Sequence, residues 1–222
     1  MKKMLKKIGT EKGLSGLSMV VVPLIFIWGF ASHPNLGDFG KVTQAAQWVQ
    51  EIRGNPHLGL AHLFVLLCAP LFILMAGELK SKIPEKRKFL ATLGYLFVIF
   101  GAMALAADKG ALCLVPGAFD TLPDEVYHQL LPGLQTLLDR SGPLWVLNFL
   151  FLLPVGFIVL SVGLWDAKKF PQTLLVILMI GMIFFLNPDI DILSLGASIL
   201  MAVSLVPMGI KILLEEKASS VS

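Results

Sequence analysis

Apolar runs alternate with short polar stretches along the whole chain, and six of the runs are long enough to predict transmembrane helices: residues 14–31, 55–78, 89–107, 141–165, 171–186 and about 189–214. A helix needs about 20 apolar residues to cross a hydrocarbon core of about 30 Å. The second run is the best marked, with Asn55 as its cap, Pro56 in its first turn, Glu78 at its far end, and His57 and His62 near its start. In the fourth, Trp145 and Trp165 stand twenty residues apart, about 30 Å of helix, so the two indoles suit the two interfaces. Pro154 and Gly156 are expected to bend it. The third run ends in small residues, Gly101, Ala102, Ala104, Ala106 and Ala107, and closes at Asp108. Such a face admits a neighbouring helix closely, and the second span is the expected neighbour at Gly101 and Ala104.

Two connecting stretches carry a different pattern. Val42, Ala45, Ala46, Val49 and Ile52 recur at helical spacing, which predicts a short helix on the membrane surface anchored by Trp48. Thr121-Leu122-Pro123-Asp124 is a helix start, followed by Val126, Tyr127, Leu130, Leu131, Leu134, Leu137 and Leu138. This predicts a second surface helix, interrupted by Pro132, with His128 on its polar side. The expected fold class is therefore all-α: a polytopic membrane helix bundle of six transmembrane helices plus two interfacial outer-face helices, forming one domain over residues 1–222. The first run also has features of a signal peptide, with lysines before it and Gly29-Phe30-Ala31 at its end. Its apolar region exceeds the usual 7–15 residues, which favours a retained helix.

Composition agrees with the pattern. Hydrophobic residues make up 56% of the chain and charged residues only 15%, and the mean hydropathy is +0.80; a soluble domain of this make-up would expose a largely apolar surface. The expected partner is the lipid bilayer, with a membrane protein or a second copy of the chain as a further one. The net charge of +3 does not point to nucleic acid, because the basic residues sit in short clusters between apolar spans. With the N-terminus cytoplasmic, 14 of the 18 basic residues fall on the inner side, among them Lys2, Lys3, Lys6, Lys7, Lys80, Lys82, Lys86, Arg87, Lys88, Lys168 and Lys169. Only Lys41, Arg53, Lys109 and Arg140 fall outside, so both termini are expected to be cytoplasmic. Cys68 and Cys113, the second read as a loop residue, show no spacing that points to a disulfide.

The six-span layout with amphipathic outer loops, together with Gly163-Leu164-Trp165-Asp166-Ala167-Lys168-Lys169-Phe170-Pro171 leading into Leu174-Leu175-Val176-Ile177-Leu178-Met179-Ile180-Gly181, resembles a bacterial family of multi-pass membrane proteins classed as a domain of unknown function. The resemblance implies a bacterial inner-membrane protein and transfers no catalytic or binding residue.

The candidate chemistry gathers on the outer face, where His33, His57, His62 and His128 all fall on this threading. His57 and His62 are five residues apart, which turns them about 140° from each other, so one metal ion cannot be chelated by the two alone. His57 lies 21 residues outward from Glu78 and Asp108 lies 20 outward from Lys88, so a carboxylate–imidazole pair between neighbouring spans is within reach. Three readings follow. Structural hydrogen bonds would tie the surface helices to the bundle. A divalent metal would take His57, His128 and one of Asp108, Asp189 or Asp191. A haem would be held by His62 and a second histidine. No nucleotide-binding, serine-hydrolase or zinc-protease motif occurs, and no charged residue falls in the middle third of any span, where ion-coupled carriers place one. The expected function is a non-catalytic membrane protein whose His/Asp-lined outer pocket binds a small or lipophilic ligand or a partner; the alternative is a metal- or haem-dependent membrane enzyme.

The charge distribution makes a direct prediction. A topology reporter fused after Ser222 is expected to read cytoplasmic and one inserted between Lys109 and Ser141 external; both on one side would overturn the six-span threading.

Overall fold

The computed structural model describes residues 10–34, 36, 37, 39, 42–187 and 190–219, with side chains as far as residue 215. The described residues are helical with no strand. The bundle helices are α1 (Glu11–Ala31), α3 (Pro56–Leu67) and α4 (Ala69–Ser81), α5 (Lys88–Lys109), α9 (Leu152–Leu164), α10 (Gln172–Phe184) and α11 (Asp191–Ser219). Among the described residues five stretches are long and apolar enough to cross a membrane: Glu11–Ala31, Pro56–Ser81, Glu85–Phe119, Gly142–Leu164 and Asp191–Glu215. Asn55 caps the second as its sequence implies, its side chain accepting from Leu58 N at 3.1 Å. Cys68 divides it into α3 and α4, with Pro70 in the first turn of the latter. The fourth starts as a 3-10 helix, Gly142–Phe151, before becoming α9.

Contacts between elements give the direction of each pass. At one end Arg87 pairs with Asp166 and Lys211 donates to the Lys169 carbonyl. At the other, His33 meets Asp191 and Arg140 meets Asp108. The chain thus runs between a basic end and a roofed end six times, each pass antiparallel to the one before. The fifth, α10, is shorter than expected: its 13 residues cover about 20 Å.

Two glycine seams let backbones touch. In the first, Gly94 and Gly101 of α5 lie against Gly156, Leu160 and Leu153 of α9; a Cβ on Gly101 would fall onto the backbone of Leu153. Gly101 therefore faces the fourth pass and not the second, because Leu153 presents its main chain there. In the second seam Gly16 of α1 meets Gly209 and Leu213 of α11. Aromatic residues fill the centre, with Phe26 edge-on to Phe72 at 5.3 Å and Phe72 packed on Phe157 at 5.8 Å.

A separate apolar cluster forms the roof, from α2 (Ala45–Ile52), α6 (Val115–Phe119), α7 (Asp124–Gln129) and α8 (Leu131–Leu138). Trp48, Val49, Ile52, Leu112, Tyr127 and Leu134 are its core. The structure corrects four expectations here. Trp48 is only 8% exposed, packed inside the roof where it cannot anchor in lipid. The helix expected over 121–138 is two helices, broken at Leu130 ahead of Pro132, whose missing N–H and fixed ring suit a helix start. The third span does not close at Asp108 but continues through a π-helical turn, Gly110–Leu114, to Phe119. Cys113 lies buried in that turn, not in a loop. Arg53 clamps the roof, pairing with Asp120 at 3.3 Å and Asp124 at 2.8 Å, donating to Leu122 O, and covering the Tyr127 ring at 4.4 Å. Burial first, and then the nearby Asp120 charge, pushes the Tyr127 hydroxyl above its ordinary range, against the pull of Arg53.

Gly101→Leu is expected to lower thermal stability sharply in detergent, on the order of 3 kcal/mol, because bulk there must displace main chain. Gly59→Ala, where a Cβ meets nothing within 4 Å, is the control and is expected to be neutral or slightly stabilising. Equal melting of the two variants would refute the seam.

Candidate functional site

The roofed end of the bundle collects the ionisable groups. His33 follows the end of α1, and its Nδ1 lies 2.9 Å from Oδ2 of Asp191, the first residue of α11. A carboxylate at a helix N-terminus is favoured by the helix dipole, and the imidazole gives it a partner. His62, one and a half turns into α3, is buried and meets the His33 ring edge to face, with centroids 5.2 Å apart. Lys109 and His33 are both within electrostatic reach of His62. The first, second, third and sixth passes therefore converge on one polar corner.

Asp108 has partners other than the one its depth implied. Its Oδ2 is 3.4 Å from Lys109 Nζ and its Oδ1 is 3.4 Å from Arg140 Nη2, and among the described residues no hydrogen bond joins it to His57. Local backbone geometry explains the substitution. Arg140 sits at φ 51° just past α8, where Ser141 N returns to Thr136 O at 3.0 Å, a left-handed helix end that costs a non-glycine residue roughly 1–2 kcal/mol. That turn carries the guanidinium to Asp108 and to Asn148 Oδ1, 3.1 Å away. With two cations on it, a carboxylate only 4% exposed is tolerated within a continuous helix.

The remaining sequence candidates stand apart. His57 and His128 are exposed, and among the described residues no three His, Cys, Asp or Glu side chains converge to hold a metal ion. The set of His57, His128 and an aspartate is thus not assembled from Asp108 or Asp191, and Asp189 lies outside the described residues. His62 does have a second histidine beside it, His33, but the two rings touch each other, which leaves no gap for a porphyrin between them.

Below the polar corner is a cavity of about 50 Å³ lined from every pass. Phe26 and Phe30 come from α1, Val65 and Phe72 from the second pass, Leu105 and Lys109 from α5, Leu153 and Pro154 from α9, and Met182, Phe185 and Met201 from the last two. None of the histidines or aspartates picked out in the sequence lines it. Its walls are apolar and aromatic, and Lys109 is the one charged residue among those lining it. Sequence reasoning missed Lys109, although it is one of only four basic residues on the sparsely basic side of the threading and follows a run of small residues that leaves room beside it. Chemically, the arrangement can hold an apolar body in the slot and a polar group at its roofed end. No family model, no curated protein and no solved structure matches the chain.

The polar corner is testable by a double-mutant cycle. His33→Gln and Asp191→Asn are each expected to lower the melting temperature, and the double variant to lose less than the sum, with a coupling on the order of 1 kcal/mol. Simple additivity would mean that the pair contributes nothing to closing α1 on α11.

Proposed function

We propose that the protein is a multi-pass inner-membrane protein of bacterial type, non-catalytic, whose pocket on the extracytoplasmic side binds a small lipophilic ligand. In this reading all six passes cross the bilayer, the short fifth one included, both termini are cytoplasmic, and the roof helices lie at the outer surface. The density of basic residues at the Arg87 and Lys169 end supports that orientation. The observation that carries the binding reading is the slot beneath the roof: apolar side chains from all six passes surround it, and ligand sites in helix bundles occur between helices in this way, largely apolar with few polar groups.

Leu105 reaches into the slot from the third pass, so Leu105→Trp fills it. A photoactivatable short-chain alcohol, presented to the protein in lipid nanodiscs, is expected to label peptides carrying Phe72 and Met201 in the parent. In the variant the labelling is expected to fall by about tenfold, equivalent to 1.4 kcal/mol, with helical content unchanged. Equal labelling of parent and variant would refute the site.

A further inference from the structure

The basic end of the bundle carries a site that takes the six-pass reading as given and is independent of whether the slot beneath the roof binds anything. Most cations of that end are matched: Lys82 to Glu78 at 3.0 Å, Lys88 to Glu85 at 2.6 Å, and Arg87 and Lys86 both to Asp166. Lys168 and Lys169 are different. They lie exposed in the turn between α9 and α10, and among the described residues no carboxylate pairs with either. Asp166, the one acid of that turn, is turned toward Arg87 and Lys86, and Glu215 on α11 faces the Lys211 ammonium at 3.8 Å. Two neighbouring positive charges therefore stand uncompensated at one spot.

The backbone holds them there. Lys168 has φ 52°, a left-handed conformation in which a Cβ is costly and glycine is the easier residue, so the turn keeps a lysine at the expense of strain. Lys169 is fixed through its carbonyl, which accepts from Lys211 Nζ, and the same ammonium stands 5.6 Å from the centre of the buried Phe170 ring. This contact also sets the depth of the turn. Helix α11 runs eight residues beyond Lys211 to Ser219, about 12 Å, so the turn lies on a step below the end of that helix. From the step, Thr173, Val176, Ile180 and Ile183 follow one another along one face of α10, all exposed, a stripe that meets lipid when the fifth pass crosses the bilayer. Basic pockets beside transmembrane helices recognise anionic lipid heads, whereas a zwitterionic head would bring a cation of its own to two lysines. We propose that the Lys168–Lys169 turn is a docking site for the phosphate head of an anionic phospholipid, its chains lying along Val176, Ile180 and Ile183.

The test titrates the whole protein in detergent with phosphatidylglycerol and phosphatidylcholine of identical chains and counts bound lipid by native mass spectrometry. The parent is expected to bind the first about tenfold more tightly than the second. Lys168→Gln combined with Lys169→Gln is expected to bring the two lipids level, while Lys168→Arg with Lys169→Arg keeps the preference. Lys86→Gln with Lys88→Gln removes the same charge from the same end, at lysines that have carboxylate partners, and is expected to leave the preference in place. The single changes Lys168→Gln and Lys169→Gln, each expected to cost about threefold, carry the test should the double variant fold poorly. Equal binding of the two lipids by the parent overturns the site, as does a preference that survives the loss of both lysines. An equal loss in the Lys86 and Lys88 variant overturns it too, since the attraction would then belong to the whole basic end. Displacement of the lipid by glycerol phosphate at equal concentration assigns the turn to a soluble phosphate and overturns the lipid as its occupant.

Discussion

Inside an apolar bundle a polar atom has only the protein itself to bond to, and this requirement governs where the buried serines of the core direct their hydroxyls. The buried serines return their hydroxyls to their own helices: Ser18 to Leu14 O at 2.7 Å, Ser161 to Phe157 O at 2.8 Å, Ser198 to Ser194 O at 2.7 Å. Ser15 goes further, bonding Glu11 O and also Leu74 O on the second pass, so one hydroxyl ties two helices. Charged groups cannot be accommodated so locally, and they are confined to the two ends, where Arg87 finds Asp166 and Asp108 finds two cations. The polar corner at the roofed end and the apolar slot below it are two consequences of this one sorting.

The slot also follows from how the third and fourth passes meet. Where Gly94 faces Gly156 and Gly101 faces Leu153, the backbones touch and no space remains. One turn further toward the roof the third pass offers Leu105 and then Lys109, and the fourth offers Leu150, and these side chains line the slot. The aromatic rings of α1 and the fifth pass meet at the slot as well, Phe30 against Phe185 with centroids 6.1 Å apart.

Much of this architecture is legible in the amino-acid sequence, because hydrophobic run length is set by bilayer thickness and helix rise alone. The capped start at Asn55, the amphipathic helix over Ala45–Ile52 and the concentration of basic residues at one end all come from local patterns. What was hidden depends on partners distant in the chain. Gly101 announces a close contact without saying with which helix, and the depth of His57 matches that of Asp108 although Arg140, 32 residues on, reaches the carboxylate first. His33 and His62 meet only because α1 and α3 run antiparallel. Trp48 has the composition of a membrane anchor, and only the roof packed over it makes it a core residue. Depth arithmetic gives level but not azimuth, and the candidate site is a matter of azimuth.

The fourth pass shows what a change of helical winding does to reach. Its first ten residues are wound as a 3-10 helix and its next thirteen as an α-helix, so at about 2.0 and 1.5 Å per residue the whole extends about 40 Å. That equals the reach of the second pass, which uses 26 residues where the fourth uses 23. The fourth pass is thus economical in residues but drawn out, with a narrower cylinder along its roofed half. Side chains three apart eclipse one another on such a segment, so Trp145, Asn148 and Phe151 line up along one edge. A residue inserted between Ser141 and Leu152 would rotate that edge by about a third of a turn and swing Asn148 away from Arg140, which makes this stretch far less tolerant of length change than its loop-like position after the roof implies.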